Sequence, residues 1–388
     1  MLEERALAEG LIRYDTSRPE ELPTAAGFVR GWLESRDIDV RVRDYNGLPV
    51  LVAEVGASGA DAPCVVFHGH LDVVPGRPGQ FEPLVDGDRL IGRGAYDMKG
   101  ALAAMMCALK DVERQDAVRV RFVCVPDEES EDLEVRSTAA FVAEGLGGDF
   151  AITGEPTDMH IGVEAKGVLV MRIIVQGRAA HSSTPWLGDN AVLKAMEVFR
   201  GIETLPFSRE STQVFERPSI NLGRISGGNA LNQVPDQCTM WVDVRYLPGQ
   251  EPADILDQVG GLRDIEVERT FIYPPVSVSP SDRYVTALRE AVSRSTRGQT
   301  LSVGRDGASE AAAFIQAGIP AVEFGPAGAG HHGPDEWVSL TSLARYRRSL
   351  GDFVRLLGLG AGAEELRVED RGAGLSFSTR STGPETRL

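Results

Sequence analysis

Imidazole and carboxylate side chains recur in this sequence at places that resemble the ends of strands. The segment FHGHLDVVP (67–75) carries His70 and Asp72, two residues apart at the end of an apolar run. Residues i and i+2 of an extended chain face the same way, so Asp72 could support a ring that His70 offers to a metal ion. His68 shares that parity but lies deeper in the run. A histidine beside a strand is, by itself, more often structural.

Asp97 lies in a glycine-rich turn, in the segment GRGAYDMKG (92–100), just before a helix-like stretch rich in Ala and Met. A carboxylate there could reach a metal ion through the space that glycine leaves. The competing interpretation is a helix N-cap, in which the carboxylate of Asp97 accepts hydrogen bonds from backbone N–H groups. The turn alone does not decide between the two.

Three consecutive carboxylates, Asp127, Glu128 and Glu129, follow the next buried strand in VCVPDEES (123–130). Like charges at a strand exit repel one another. A solvated acidic turn is one explanation. The other is a metal ion that removes the repulsion and leaves one carboxylate free to act on a bound water molecule. Glu155, in ITGEPTD, follows the strand after that.

A distant segment, FGPAGAGHHGPDE (324–336), adds further donors after another apolar strand. It carries His331 and His332, either of which could be a ligand, followed by Asp335 and Glu336. Each of these signals is moderate by itself, but oxygen and imidazole donors recur at successive strand exits. Two histidines with three carboxylates are the ligand set expected of paired zinc-type ions, whereas Mg²⁺ recruits two histidines less readily.

The elements that must position these donors alternate between strand and helix over residues 1–166 and 275–360. Such alternation predicts an α/β sandwich with a mostly parallel sheet. Residues 167–274 instead follow the order βαββαβ, which is the ferredoxin-like pattern. We therefore predict a discontinuous domain that carries the donors, with a small domain inserted into it. Residues 361–388 have few large apolar side chains and are predicted to form a flexible tail.

The inserted segment also offers a defined helix start. A helix is predicted over residues 189–205, and either Asp189 or Asn190 is suited to be its N-cap, since both side chains can accept from the first backbone N–H groups. Strands are predicted over residues 168–175, 219–225, 238–245 and 265–273, with a second helix over residues 251–263.

The overall composition limits the classes of partner. The 388 residues carry a net charge of −17, which argues against binding nucleic acid or anionic lipid over the whole surface. No apolar run approaches the ~20 residues that span a membrane. The four cysteines lie in apolar runs without a CxxC pair, and the first residues lack the features of a signal peptide. We expect a cytoplasmic protein.

Seven segments together resemble the motifs of one family, and they occur in its order between about residue 60 and residue 355. They are HLDVVP, GRGAYDMKG, PDEE, GEPT, HSSTP, NQVPD and HGPDE. The family is that of acetylornithine deacetylase and succinyl-diaminopimelate desuccinylase, di-zinc amidohydrolases and exopeptidases related to aminoacylase. The resemblance implies two divalent ions, Zn²⁺ or alternatively Co²⁺ or Mn²⁺. It also implies cleavage of the amide bond of an N-acyl amino acid by a metal-bridging hydroxide.

The resemblance assigns five metal ligands in this sequence. His70 and Glu155 would hold one ion, Glu129 and His332 the other, and Asp97 would bridge the two. His332 is preferred to His331 because the family pattern has a histidine, two residues and then Asp-Glu.

Catalytic roles follow from the same resemblance. Asp72 would orient His70, and Glu128 would be the general base that takes a proton from water and returns it to the leaving amine. His181, in GRAAHSSTPWLGDNAV, resembles a histidine that reaches across a homodimer to help bind the oxyanion in the partner's site. Without that motif, His181 would be interpreted as a surface histidine in a turn.

Substrate contacts are implied for Asn232 in NQVPD and Arg245 in WVDVRYLPG. The planar guanidinium of Arg245 suits a carboxylate because it donates two parallel hydrogen bonds. Its competing role is a salt bridge at the strand end, for which Asp243 is the candidate partner.

Two segments depart from the family pattern. In GASEAAAF, Ser309 is the implied substrate contact, but Glu310 stands where the family has Asp, and Asp306 with Gly307 gives a competing alignment. The segment SEDLEVRSTAA (130–140) is longer and more acidic than the usual short turn, so we expect it to reshape one wall of the site.

Alternative activities stay open at this point. A dipeptidase or carboxypeptidase is one, and a deprotecting hydrolase acting on a carrier-linked or pathway-specific amide is another. A non-catalytic binding protein is disfavoured because the ligands and the base are all present.

Overall fold

Strands and helices alternate along the chain in the computed structural model, which describes residues 3–59, 61–130, 136–296 and 300–372. The strands are β1 (Val40–Tyr45), β2 (Leu48–Gly56), β3 (Cys64–His70), β4 (Leu84–Asp86), β5 (Arg89–Ile91), β6 (Arg119–Val125), β7 (Phe150–Thr153), β8 (Ile161–Ala165), β9 (Gly167–Gln176), β10 (Ser219–Gly227), β11 (Gln237–Tyr246), β12 (Ile265–Tyr273), β13 (Val276–Ser277), β14 (Ser302–Arg305), β15 (Ala321–Glu323), β16 (Gly328–Ala329) and β17 (Trp337–Ser339). The α-helices are α1 (Glu3–Ile12), α2 (Leu22–Glu34), α3 (Lys99–Asp111), α4 (Ser137–Phe141), α5 (Ala191–Ile202), α6 (Pro252–Gly260), α7 (Arg283–Ser295), α8 (Ala311–Gln316) and α9 (Leu340–Gly372).

The largest sheet has the order β1-β2-β6-β3-β7-β15-β8-β13, with β14 paired to β8. Its four central strands, β6, β3, β7 and β15, run parallel to one another. The carboxyl ends of these strands therefore meet at one edge of the sheet, which is where ligand-binding loops collect in open α/β folds. The predicted α/β class with a mostly parallel sheet is confirmed.

Both faces of this sheet are covered, which explains the continuous apolar runs in its strands. Alternate residues of β3 enter two different clusters: Val65 and Phe67 pack in one, and Val66 packs in the other. Helix α3 lies on the first face, and every residue from Lys99 to Leu109 is buried. A helix buried all round has no freedom to shift, so the turn that precedes it is held firmly.

The segment between β8 and β13 forms a second sheet with the order β10-β11-β9-β12, all antiparallel. Together with α5 and α6 it reproduces the predicted βαββαβ pattern. Buried residues alternate along β9 and β11, and they pack with α5 and α6 into a separate apolar cluster. The boundaries of a separate domain at residues 167 and 274 remain a prediction.

A small third sheet, β16-β17-β5-β4, was not anticipated from the sequence. Its strands are only two or three residues long, too short for any periodicity. Pairing of Trp337 with Ile91 joins β17 to β5. This pairing brings the loop after β5, which contains Asp97, next to the loop before β17, which contains His332.

The C-terminal helix α9 continues to Gly372, beyond the start of the predicted flexible tail. Residues 373–388 lie outside the described residues, so flexibility of the tail stays a prediction. Residues 131–135 also lie outside the described residues. They belong to the acidic segment that was expected to reshape one wall of the site, so that expectation stays a prediction. None of the helices in the described ranges has both the length and the apolar character that crossing a membrane requires.

The start of α5 yields a stability test. The side chain of Asn190 accepts hydrogen bonds from the backbone N–H groups of Val192 and Leu193, at 3.0 and 3.3 Å. Replacing Asn190 with Ala removes this cap, and we expect the free energy of unfolding to fall by about 1 kcal/mol in a urea titration.

Asp189→Ala is the matched control, because its carboxylate only pairs with Lys194 near the surface. An exposed ion pair contributes about 0.5 kcal/mol or less. A larger loss in Asp189→Ala than in Asn190→Ala would contradict the cap assignment.

Candidate metal centre

Each proposed ligand follows a parallel strand of the large sheet or lies in the loop beside it. His70 is the last residue of β3, Glu129 follows β6 and Glu155 follows β7. His332 lies beyond β15, between the short strands β16 and β17, and Asp97 follows β5. Strands β3, β6, β7 and β15 are neighbours, so segments up to about 260 residues apart meet at one edge.

The carboxylate of Asp97 lies between two histidine rings. Its Oδ1 is 3.0 Å from Nε2 of His70, and its Oδ2 is 3.2 Å from Nε2 of His332. The same nitrogen of His70 lies 3.6 Å from Oε1 of Glu155, and that of His332 lies 3.0 Å from Oε1 of Glu129. A carboxylate that offers one oxygen to each side has the arrangement needed to bridge two ions.

The described part of the chain contains three groups of donor residues that could each hold a cation. Within each group, the donor atoms lie within 4.8 Å of one another. The groups are Asp97 with His331 and His332, His70 with Asp97 and Glu155, and His70 with Glu128 and Glu129. The donors are imidazole nitrogens and carboxylate oxygens, and the chemistry of this set fits zinc-type ions.

Both histidines of the HHGPDE segment reach Asp97. Nε2 of His331 lies 2.5 Å from Oδ2 of Asp97, closer than that of His332. His332 additionally contacts Glu129, with its Nε2 3.0 Å from Oε1 of that residue. The preference for His332 as a ligand therefore has geometric support, but it stays a prediction because His331 shares the same oxygen.

Protons on the imidazole rings balance the negative charge of this cluster. Hydrogen bonds to Asp97 and Glu129 raise the pKa of His332 to about 10. Burial alone would lower the pKa of His70, but bonds to Asp72 and Asp97 outweigh it and raise that pKa well above its usual value. Burial raises the pKa of Glu155 well above its usual range. Metal ions at these donors would displace the protons.

Glu128 lies beside the proposed ligands, in one donor group with His70 and Glu129. Its Oε1 accepts a hydrogen bond from Nη1 of Arg136 at 3.1 Å. Burial raises the pKa of Glu128 above its usual value. A carboxylate with a raised pKa holds a proton more readily than an ordinary one, which suits a proton-transfer role next to the ligands.

Asp72 fixes two elements of the cluster at once. Its two carboxylate oxygens accept the backbone N–H groups of Glu128 and Glu129, at 3.2 and 2.7 Å. Nδ1 of His70 donates to the backbone carbonyl of Asp72 at 2.9 Å, while the Asp72 carboxylate is 3.5 Å away. Asp72 therefore orients the ring of His70 chiefly through its backbone, and the acidic loop through its side chain.

A buried ion pair, whose role sequence analysis missed, joins the loops that carry Asp97 and His332. Glu336 accepts from Nη1 of Arg93 at 2.7 Å and from the backbone N–H groups of Gly94, Tyr96 and Asp97. Nη2 of Arg93 also donates to the carbonyl of His332, at 3.3 Å. The signal available in the sequence was an arginine inside GRG and a second acidic residue in HGPDE.

Two competing interpretations can now be decided. Helix α3 begins at Lys99 with no side-chain cap, and the oxygens of Asp97 face histidine rings, so the N-cap interpretation of Asp97 is wrong. Asp127 is buried and accepts from the backbone N–H and the hydroxyl of Ser137, both at 2.8 Å. It holds the start of α4, whereas Glu128 and Glu129 face the cluster.

Comparison with known proteins identifies the family. Residues 66–356 match the model of the peptidase family M20/M25/M40, three quarters of the chain. This chain belongs to that family. It is a metal-dependent hydrolase, and the resemblance drawn from the seven sequence motifs is confirmed.

The M20 relatives include enzymes that remove acyl groups. A succinyl-diaminopimelate desuccinylase from Methylobacterium sp. (strain 4-46) is 29% identical, with 90% of this chain and 95% of the relative covered. An acetylornithine deacetylase from Proteus mirabilis is 29% identical, covering 84% of this chain and 88% of the relative. The aminopeptidase PepT from Bacillus cereus shares the fold, with a TM-score of 0.74 at 19% identity over 92% of this chain and 98% of PepT.

The substrate residues implied by the M20 motifs lie outside the ligand cluster. His181 is exposed, and its Nδ1 bonds to Oγ of Ser183 at 2.8 Å. Asn232 is exposed in the same region of the inserted segment. Arg245 pairs with Asp243 through Nε and Nη2, at 3.0 and 3.1 Å, as its competing role required. Ser309 is buried, and its Oγ accepts the backbone N–H of Ala311.

A buried polar chain lies behind the cluster and was not foreseen. Oγ1 of Thr138 lies 2.9 Å from Nε2 of His68 and donates to Oε1 of Glu310 at 2.8 Å. Burial lowers the pKa of His68 to about 3, and burial together with the charge of Glu128 raises that of Glu310 to about 8. Asp306, by contrast, is exposed and pairs with Lys166, which favours the alignment through Ser309 and Glu310.

The Glu336 contacts generate a prediction for this M20 site. Glu336→Gln keeps one acceptor oxygen but removes the charge that pairs with Arg93, so the loops of Asp97 and His332 lose their common anchor. We expect Zn²⁺ affinity, measured by competition with a chromophoric chelator, to fall about 10- to 100-fold.

Circular dichroism would establish that the Glu336→Gln protein is folded, and Glu82→Gln, an exposed acidic residue, is the charge-matched control. A folded Glu336→Gln protein with the same Zn²⁺ affinity as the control would contradict the anchoring role.

Proposed function

We propose that this enzyme hydrolyses the amide bond of an N-acyl amino acid, of the acetylornithine or succinyl-diaminopimelate type. The observation that carries the proposal is the carboxylate of Asp97 between His70 and His332, with Glu128 beside the same donors. The desuccinylase and deacetylase relatives support the substrate class.

Two divalent ions, Zn²⁺ or alternatively Co²⁺ or Mn²⁺, are proposed for this site. His70 and Glu155 would hold one ion, Glu129 and His332 the other, with Asp97 shared between them. When bound, such a pair lowers the pKa of a water molecule and polarises the substrate carbonyl. The proton transfers of the reaction are assigned to side chains of the protein.

Glu128 is proposed as the general base. Its carboxylate takes a proton as water attacks the carbonyl carbon, and it returns that proton to the amine nitrogen as the C–N bond breaks. Asp72 supports this step because its carboxylate accepts the backbone N–H of Glu128 and so fixes the position of the Glu128 backbone. The raised pKa of Glu128 supports a role in which this carboxylate first accepts a proton and then returns it.

A homodimer is proposed to complete the site. Large apolar side chains are exposed close to the His181 loop, on α5 and along the β10 edge: Trp186, Leu187, Leu193, Met196, Ile225 and Leu231. Exposed apolar surface of this extent is suited to burial against a second copy. His181 of one protomer would then help bind the oxyanion in its partner, with Asn232 contacting substrate and Ser309 shaping the wall of the site.

Peptide hydrolysis is the alternative, and the fold shared with an aminopeptidase favours it. A pathway-specific or carrier-linked amide is the third candidate. We also propose the cytoplasm as the location, because the four cysteines are buried and unpaired, as expected in a reducing compartment.

A panel of candidate substrates tests the proposed reaction. Zinc-loaded protein would be assayed with acetylornithine, succinyl-diaminopimelate, other N-acyl amino acids and dipeptides. We expect N-acyl amino acids to be hydrolysed, chelation to abolish turnover, and Glu128→Ala to lower kcat by about 10²- to 10⁴-fold while still binding metal.

Metal content would be measured for each protein, since Glu128 is not one of the proposed ligands. Turnover of dipeptides alone would replace the proposed substrate class with the peptidase alternative. Full activity of metal-loaded Glu128→Ala would remove Glu128 from the mechanism.

Mixing two inactive variants tests the shared site. His181→Ala and Glu128→Ala would each be inactive as homodimers, but a mixed dimer has one site with an intact Glu128 and a His181 from its partner. Coexpression in equal amounts should restore about a quarter of wild-type activity, since half of the dimers are mixed and each has one complete site.

Light scattering on the same samples gives the oligomeric state. Activity of the coexpressed pair that does not exceed the sum of the two variants alone would contradict a site completed in trans. So would a monomeric mass for the active wild-type protein.

A further inference from the structure

Arg136 reaches the proposed base from a segment that departs from the family pattern. Its Nη1 donates to Oε1 of Glu128 at 3.1 Å, and its Nη2 donates to the backbone carbonyl of Ser130 at 3.3 Å. The side chains of Arg136 and Glu128 are 32% and 23% exposed, so the pair is partly buried but still reached by solvent. The guanidinium therefore lies one side chain away from the metal ligands.

The guanidinium of Arg136 has donors to spare. An arginine offers five N–H groups, and these two hydrogen bonds are the ones it makes within the described ranges. The remaining donors form the planar fork that binds carboxylates. Because the carbonyl of Ser130 and the carboxylate of Glu128 fix its orientation, the fork is already ordered before any ligand arrives.

Several carboxylates surround Arg136. Glu128, Glu129 and Glu155 lie in the donor groups beside it, and Glu310 is buried behind it. The proposed ions and His70 offset the charge at the ligands, whereas Arg136 lies against Glu128 and its charge also acts on Glu310 and Tyr273. A substrate anion beside Glu128 would be repelled by that carboxylate, and the guanidinium offsets the repulsion.

Arg245, the arginine that the sequence motifs assign to substrate, already has a carboxylate partner. Its Nε and Nη2 both donate to the carboxylate of Asp243 within the inserted sheet. Arg136, by contrast, contacts the proposed base itself.

We propose that Arg136 binds the α-carboxylate on the amine side of the substrate and so selects N-acyl α-amino acids with a free carboxylate. This inference rests on the proposed function. Glu128 must lie next to the leaving nitrogen to protonate it, and the α-carboxylate is carried by the carbon bonded to that nitrogen. The guanidinium that holds Glu128 is thus adjacent to the place where this carboxylate lies.

A purely structural role for Arg136 makes a different prediction. If Arg136 only holds Glu128 and the loop at Ser130, its loss lowers turnover of every substrate by the same factor. If it binds the α-carboxylate, its loss affects substrates that have this group and spares those that lack it. The ratio of kcat/KM between a substrate and its α-carboxamide separates the two roles.

The experiment uses the full-length, zinc-loaded protein. The N-acyl amino acid that is hydrolysed fastest and its α-carboxamide would be assayed with wild type, Arg136→Gln and Arg136→Lys. We expect the carboxylate-to-carboxamide ratio to fall about tenfold or more in Arg136→Gln, mainly through KM, and to recover partly in Arg136→Lys, which keeps the charge but loses the fork. Arg30→Gln, on the remote helix α2, is the control for loss of one positive charge.

An unchanged ratio in Arg136→Gln overturns the proposal, whatever happens to the absolute rates. If wild type hydrolyses no N-acyl amino acid, the proposed function fails, and calorimetric binding of acetylornithine and its α-carboxamide then decides the role of Arg136. A preference for the carboxylate that disappears in Arg136→Gln supports carboxylate binding at Arg136. Equal binding of the two ligands, or no binding, overturns it.

Discussion

The buried carboxylate of Glu336 is the contact on which the rest of the centre depends. It pairs with Arg93 and accepts three backbone N–H groups from the turn that carries Asp97, and it comes from the loop that carries His332. A buried charge is costly unless it is fully paired, and removing one partner of such a pair typically costs 3–5 kcal/mol, roughly speaking. The two loops therefore form one unit, and their connection places the carboxylate of Asp97 between His70 and His332.

The parallel sheet supplies the remaining order. Four neighbouring strands end at the same edge, so His70, Glu129, Glu155 and His332 meet although they are distant in sequence. Helix α3 begins directly after the turn of Asp97, and its residues from Lys99 to Leu109 are all buried, so the helix fixes the end of that turn. Asp72 then joins β3 to the loop after β6 through two backbone N–H groups. His70, Glu129, Asp97 and His332 are thus positioned by contacts that would not involve an ion.

Sequence analysis predicted the parts of this structure that depend on local pattern. The apolar run of residues 150–153 is β7, and the βαββαβ order of the inserted segment is present. The ligand cluster could be predicted because its donors sit at strand exits. The third sheet could not, since strands of two or three residues have no periodicity. The contact of Arg136 with Glu128 was not predicted, and the pairing of Arg245 with Asp243 was left open. Both depend on which side chains meet in space.

The distance in sequence between the proposed ligands has a consequence for how the protein persists in a cell. An unfolded chain cannot gather donors from residues 70, 129, 155 and 332, so an ion binds the native state far more strongly than the unfolded one. Every tenfold rise of free ion above its dissociation constant then adds about 1.4 kcal/mol to the native state. Metal supply and the lifetime of the folded enzyme are thereby linked, and scarcity of the ion would lower the abundance of the enzyme as well as its turnover.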